Sequence, residues 1–189
     1  MRSLRALPIV AVLAALVLSA CTSSSAKDGS YTYTGAQQIG QLIPAGDRKP
    51  VHDFGGDLLS GGTYSLTKYR GQAVVVNFWG TWCGPCTVET PQFGQVYKAY
   101  RSKDVSFVGI DVKEGSRDAP KAFVKDNDIE YPIVYDETGE TALRMGNIRV
   151  PGMPFTVLLD KQHRVAGVYA TRLAAADLEP MLNKLVAGT

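Results

Sequence analysis

Cysteine is scarce in this chain, three residues in 189, and histidine scarcer, with His52 and His163 alone. So few cysteines exclude the bridge-dense framework of a small secreted scaffold. So few histidines count against a protein-held zinc, which usually takes four ligands. Charge of one sign is missing too: 20 basic residues face 18 acidic ones, which gives no reason to expect nucleic acid as a partner. The chain has no internal repeat, and no apolar run reaches the length of about 20 residues that a spanning helix prefers. What is present is an ordinary globular composition, 45% hydrophobic and 20% charged, with enough chain for one core.

The amino terminus departs from that composition. "MRSLR" carries two arginines and is followed by the uncharged run "ALPIVAVLAALVLSAC". A basic start, a short apolar segment and small residues before a cut site are the parts of a secretory signal peptide. "LSAC", Leu18 to Cys21, resembles the bacterial lipoprotein signal, in which the cysteine is acylated and becomes the first mature residue. The expected layout is a lipoprotein-type signal over 1–20, with Cys21 lipidated and anchoring the protein to the membrane. Without Arg2 and Arg5 the 20 basic residues fall to 18, equal to the acidic ones. One cysteine pair is then left, Cys83 and Cys86, in an exported chain where disulfides are permitted.

Residues 21–48 are rich in Ser, Thr and Gly and lack sustained periodicity, which predicts a flexible tether. The compact domain is expected over 49–189. "FGGDLLSGGTYSLTKYRGQ" reads as a short hairpin turning at "SGG". "AVVVNFW" and "DVSFVGIDV" are β-branched runs of the kind buried on both sheet faces. Between them, Val88, Phe93, Val96, Tyr97 and Tyr100 recur with helical spacing, predicting a helix from about Gly84 to Ser102. "SRDAPKAFVKDND" reads as a second helix, with Ser116 or Asp118 as cap and Pro120 in the first turn. "YPIVYD" is a short strand and "GETALRMG" a short helix. "PFTVLLD" and "RVAGVYA" flank "KQH" as a hairpin, and "AAADLEPMLNKLV" closes as an amphipathic helix. Strands alternating with helices and ending in a hairpin argue an α/β fold around a mixed sheet.

The chemistry is concentrated in "NFWGTWCGPCTVETP", Asn77 to Pro91. With the helix beginning after Cys83, that sulfur stands at the tip, where unpaired N–H groups and the positive end of the dipole favour an anion. The thiolate is the reactive form, and this placement lowers a thiol's pKa. Pro85 fits an early helical position. Cys86, nearly a turn further in, is shielded, so Cys83 attacks and Cys86 resolves. A zinc site would have to draw His52 and His163 from unrelated places. A purely structural bridge over so short a loop would constrain the unfolded chain little. Trp79 is expected in the core and Trp82 on an apolar rim that receives a partner.

"FWGTWCGPC", Pro91 five residues after Cys86, and "GMPFTVLLD" downstream resemble thioredoxin-fold proteins, most closely the exported, membrane-tethered TlpA/ResA-like branch, over about Lys49 to the C-terminus. The resemblance implies a thioredoxin-like fold: a central mixed sheet flanked by helices, an N-terminal β-hairpin and an inserted α/β element. It implies that Glu89 approaches the buried thiol and helps move its proton; thioredoxins proper carry a buried strand aspartate where this chain has Asn77. It implies a cis proline at Pro154, with Met153 pairing through its backbone with an extended substrate segment. Trp82, Gly84 and Pro85 complete the expected substrate surface. Pro91 is a bend in the helix and carries no chemistry.

The implied reaction is disulfide exchange with exported proteins, apocytochrome c among them, fed with electrons by a membrane thiol carrier of the CcdA/DsbD type. No organic cofactor or metal is expected. The opposite direction, donation of the disulfide to newly exported chains, is the first alternative; Gly-Pro between the cysteines resembles reducing thioredoxins. A thiol peroxidase would need a peroxide-attacking cysteine in its own Thr/Ser-rich setting. A copper-delivery module would want wider cysteine spacing and a nearby histidine, and His163 is expected in a polar turn.

Overall fold

The protein is described here by a computed structural model covering residues 36–146, 148 and 152–188. The expected signal segment, Cys21 and the first part of the expected tether lie outside the described residues. Among the described residues no helix is long and apolar enough to cross a membrane.

A five-stranded mixed sheet runs in the order β5-β4-β3-β6-β7. Its members are β3 (Ala73–Trp79), β4 (Val105–Val112), β5 (Ile133–Asp136), β6 (Phe155–Leu159) and β7 (Val165–Tyr169). β3 pairs parallel with β4 and antiparallel with β6. β5 extends the parallel half and β7 the antiparallel half. Every residue of β3 and β4 is buried, as expected for strands with layers on both faces. The two-residue side-chain period divides them. Val74, Val76 and Phe78 face one layer; Ala73, Val75 and Trp79 face the other.

The layer on the Trp79 face contains α1 (Gly84–Tyr100) and α4 (Ala175–Ala187). Phe93, Val96 and Tyr100 of α1 and Leu178, Met181, Leu182 and Leu185 of α4 are buried there. α2 (Asp118–Asp126) adds Phe123, whose ring centroid lies 5.2 Å from that of Trp79. The N-cap of α2 is Arg117, not the expected Ser116 or Asp118, and it makes no side-chain capping bond; Ser116 Oγ, one residue earlier, accepts from the Asp118 N–H at 3.3 Å. Gly109 on β4 makes room for the large indole: a Cβ there would stand 3.0 Å from Trp79 Nε1 and 2.5 Å from Ile133 Cδ1. The opposite face is covered by the hairpin of β1 (Gly55–Asp57) and β2 (Thr63–Ser65), by Leu66, and by Ala142 of the short helix α3 (Thr141–Arg144) with Met145 and Ile148. The thioredoxin-like architecture expected from the sequence is present, including the hairpin and the α/β insertion between β4 and β6.

Two expectations are corrected by packing. Part of the expected tether is bound to the sheet. Gln37 N–H donates to Val168 O at 2.9 Å, Ile43 N–H to Ala166 O at 2.7 Å, and the Tyr169 hydroxyl to Gln41 O. Arg48 is buried, its guanidinium donating to Ile43 O at 2.9 Å and reaching Asp160 at 3.4 Å. The pairing runs through backbone groups along the outer edge of β7, so it needs no apolar period in the sequence, and it covers an edge that would otherwise be open. His163 is the other case. It sits in the β6–β7 turn but is buried, with Nε2 3.0 Å from Tyr69 O.

A chain beginning at Arg48 is expected to lose roughly 2–4 kcal/mol, for the lost hydrogen bonds and partial burial of Leu42 and Ile43. Urea unfolding measures it; an unchanged midpoint would make residues 36–47 a tether after all.

Candidate active site

The site is built where β3 gives way to α1. The strand ends at Trp79, the turn Gly80–Trp82 follows, and Cys83 caps the helix with an extended backbone, φ −97° and ψ 99°. Its carbonyl accepts from the N–H of Cys86 at 3.0 Å and of Thr87 at 3.1 Å. Cys83 and Cys86 form a disulfide, S–S 1.98 Å and Cα–Cα 5.2 Å. Pro85 falls in the first turn, where the missing N–H has no intrahelical role. Once the bond is reduced, the Cys83 sulfur stands at a helix N-terminus, which favours its thiolate. Cys86 is fully buried, while Cys83 borders an open groove.

Glu89 lies three residues beyond Cys86 on the buried face of α1 and is itself fully buried. Its carboxylate accepts from Leu173 N–H at 2.7 Å and from Asn77 Nδ2 at 3.1 Å. Asn77 Nδ2 also reaches Thr156 Oγ1 on β6 at 3.1 Å. Burial drives the Glu89 pKa up to about 7; the Leu173 and Asn77 hydrogen bonds and the Arg172 charge oppose that rise without overcoming it. A carboxyl group that titrates near neutrality, one helical turn from a buried thiol, can take or return a proton at physiological pH.

The groove has a volume of about 730 Å³. Trp82, Cys83, Gly84 and Pro85 form one side, and Met153 with Gly152 and Ile148 border it as well. Five of the expected substrate-surface and reactive positions therefore meet at one opening. Trp82 is 53% exposed, whereas Trp79 is fully buried. The Met153–Pro154 peptide bond is cis. Pro154 is buried, so Met153 is the member of that pair that faces the groove. Cys86 and Glu89 do not line the groove; they lie behind it.

Sequence reasoning did not find the groove's far wall or the acidic residues behind the turn. Leu143 of α3, 53% exposed, and Val112 and Lys113 at the end of β4 complete the groove. Asp111 on β4 is fully buried with neither carboxylate oxygen hydrogen-bonded. Burial, and then the charge of Glu114, push its pKa up to about 8; Arg117 counteracts and Asp136 adds to the rise. An aspartate in a strand written as a buried run is the one signal that could have marked it. Among the described residues no three His, Cys, Asp or Glu side chains gather as a metal-binding group.

The chain has relatives on both scales of comparison. Residues 48–168 match the AhpC/TSA family. "Thiol-disulfide oxidoreductase ResA" of Bacillus cereus is 30% identical over 174 residues, which is 92% of this chain and 94% of that protein. A DsbF homologue from Corynebacterium diphtheriae superposes with TM-score 0.77 at 34% identity, covering 83% of this chain and all of the other. A secreted thiol-disulfide isomerase from Corynebacterium glutamicum gives TM-score 0.77 at 30% identity, covering 84% and 98%.

Asp111 leads to a pH prediction. Its folded pKa is about 8 against 3.8 for an ordinary aspartate, so between those values the native state holds a proton that the unfolded chain releases. Stability therefore falls as pH rises through that window. Glu89 has the same sign, with its contribution half spent at about pH 7 and fading over the next unit. The fall between about pH 7 and 8 should shrink to the smaller remainder left by Glu89 in Asp111→Asn, measured as urea midpoints across that range; an undiminished slope would assign it elsewhere.

Proposed function

Because the chain belongs to the AhpC/TSA family, among its thioredoxin-fold, TlpA/ResA-like thiol-disulfide oxidoreductases, we propose that it reduces disulfides of extracytoplasmic partner proteins through Cys83 and Cys86. The observation that carries exchange through this pair is the unequal setting of the two sulfurs, Cys83 at the groove and the helix tip and Cys86 enclosed with Glu89 behind it; the reducing direction rests on Gly-Pro between the cysteines, which resembles reducing thioredoxins.

In the reduced protein the Cys83 thiolate attacks one sulfur of a partner disulfide. The partner's S–S bond breaks, a mixed disulfide forms, and the other partner sulfur leaves as thiolate. Cys86 then passes its proton to the Glu89 carboxylate and attacks the Cys83 sulfur. The mixed bond breaks, the second partner sulfur leaves, and the proton returns from Glu89 to a departing thiolate. Two electrons have moved to the partner, and the protein holds the Cys83–Cys86 bridge. Trp82, Gly84, Pro85 and Met153 bound the surface that receives the partner segment, with Pro154 fixing the backbone of Met153 for strand addition.

The bridge must then be reduced again, and a membrane thiol carrier of the CcdA/DsbD type is the proposed donor. Apocytochrome c is the proposed acceptor among exported thiol proteins. Export rests on the signal-like amino terminus and on relatives described as secreted; attachment through lipidated Cys21 rests on "LSAC". The cycle uses neither metal nor organic cofactor. A second reading reverses the electron flow, with the disulfide donated to exported chains. The names of the Corynebacterium relatives, a DsbF homologue and a secreted isomerase, leave that direction open.

Equilibrating Cys83–Cys86 against defined thiol buffers separates the two. The reducing role predicts a potential near thioredoxin's, about −270 mV or below. A value approaching about −120 mV, as in DsbA, would make the disulfide the transferred group and overturn the direction.

A further inference from the structure

The turn that carries Trp82 and Cys83 has no strand partner of its own, yet two of its N–H donors are met by one distant segment. Thr81 N–H donates to a carboxylate oxygen of Glu114, 33 residues away in the chain. The next residue's indole N–H, Trp82 Nε1, donates to Val112 O at 2.9 Å. Two successive residues of the turn are thus tied to the last residue of β4 and the loop just after it. The turn also closes on itself, with Cys83 N–H donating to Gly80 O at 3.1 Å. The indole lies back over Gly80, where a Cβ would stand 2.5 Å from Trp82 Nε1.

Glu114 is in turn fixed from behind. It is buried, and its backbone carbonyl accepts from the Tyr135 hydroxyl at 3.0 Å. The Tyr135 ring is covered by the Arg117 guanidinium, 4.4 Å from its centroid. Lys113 N–H donates to Asp136 O at 3.3 Å, joining the same loop to β5. The carboxylate therefore links the end of the sheet to the turn that carries the site, and the Glu114 backbone is held to β5 on the far side, an arrangement that favours preorganisation.

We infer that Glu114 is a positioning residue for thiol–disulfide exchange: by holding Thr81 it fixes the Trp82 rim against which a partner segment docks beside Cys83. The inference rests on the groove being the partner's binding place. Glu114 touches neither sulfur nor partner, and its effect falls on docking, not on sulfur chemistry.

The test is single-turnover reduction of a disulfide-bonded peptide, and of a small aromatic disulfide, by pre-reduced wild type, Glu114→Ala and Glu114→Gln. In Glu114→Ala the half-saturating peptide concentration should rise about fivefold, the scale of one lost hydrogen bond, with the small-disulfide rate unchanged. Glu114→Gln keeps an acceptor for Thr81 N–H and should return to within about twofold of wild type. An alanine variant that saturates like wild type overturns the inference. So does equal loss of both reactions, or a glutamine variant no better than alanine, because each makes Glu114 a general brace of the fold. Wild type that attacks the small disulfide but never the peptide would sink the groove reading itself, and the inference with it.

Discussion

The placement of one carboxyl group organises this molecule. Glu89 is buried in the layer between α1 and the sheet, where an ionised carboxylate is costly unless hydrogen bonds meet it. Two parts of the chain converge on it as donors: Asn77 from the centre of β3 and Leu173 from the segment leading into α4. Asn77 is anchored by Thr156 on the neighbouring strand. The partners are too few to restore an ordinary acidity, so the group titrates near neutrality. Exchanging it for an apolar residue would strip the Leu173 N–H of its partner and leave Asn77 Nδ2 with Thr156 alone.

The two faces of the sheet divide the remaining work. The Trp79 face holds the enclosed sulfur, Glu89 and the α1–α4 packing, all excluded from water. The groove opens toward the other layer, where Phe78, Ala142 and Ile148 belong to the second core cluster and Trp82 and Leu143 stand exposed. Cys83 sits at the junction, the N-cap of a helix whose buried face belongs to one layer while its tip borders the other. Accessibility for the Cys83 sulfur and shielding for that of Cys86 follow from this single crossing. The same crossing explains why the turn before Cys83 depends on the end of β4 for support: it leaves the sheet at the point where the ladder has run out.

Much of this was legible in the residues. The branched runs over Ala73–Trp79 and Val105–Val112 marked strands buried on both faces, the apolar spacing after Cys83 marked α1, and the Trp79–Trp82 division followed from position relative to the strand end. The cis bond at Pro154 came from resemblance, not from any local pattern. What escaped notice was made by distant or patternless contacts. Residues 37–48 bind β7 largely through backbone groups, which leave no period to read. His163 looks like a turn residue because it is one, yet its ring is closed in by Tyr69 O, 94 residues away. Glu114 looks like a solvated acid after a strand, and only the register of β3 on β4, with Trp79 opposite Asp111, brings it to Thr81.

The claim at the centre is that Glu89 moves the Cys86 proton. The most direct measurement is the rate at which Cys86 resolves a mixed disulfide held on Cys83, followed against pH in wild type and in Glu89→Gln. In wild type the rate should rise through an inflection near the Glu89 value of about 7. In Glu89→Gln that inflection should vanish and the rate at neutral pH should fall on the order of 10²-fold, the usual scale of a lost proton-transfer group. Profiles that superimpose would contradict the account and leave Glu89 a buried structural acid.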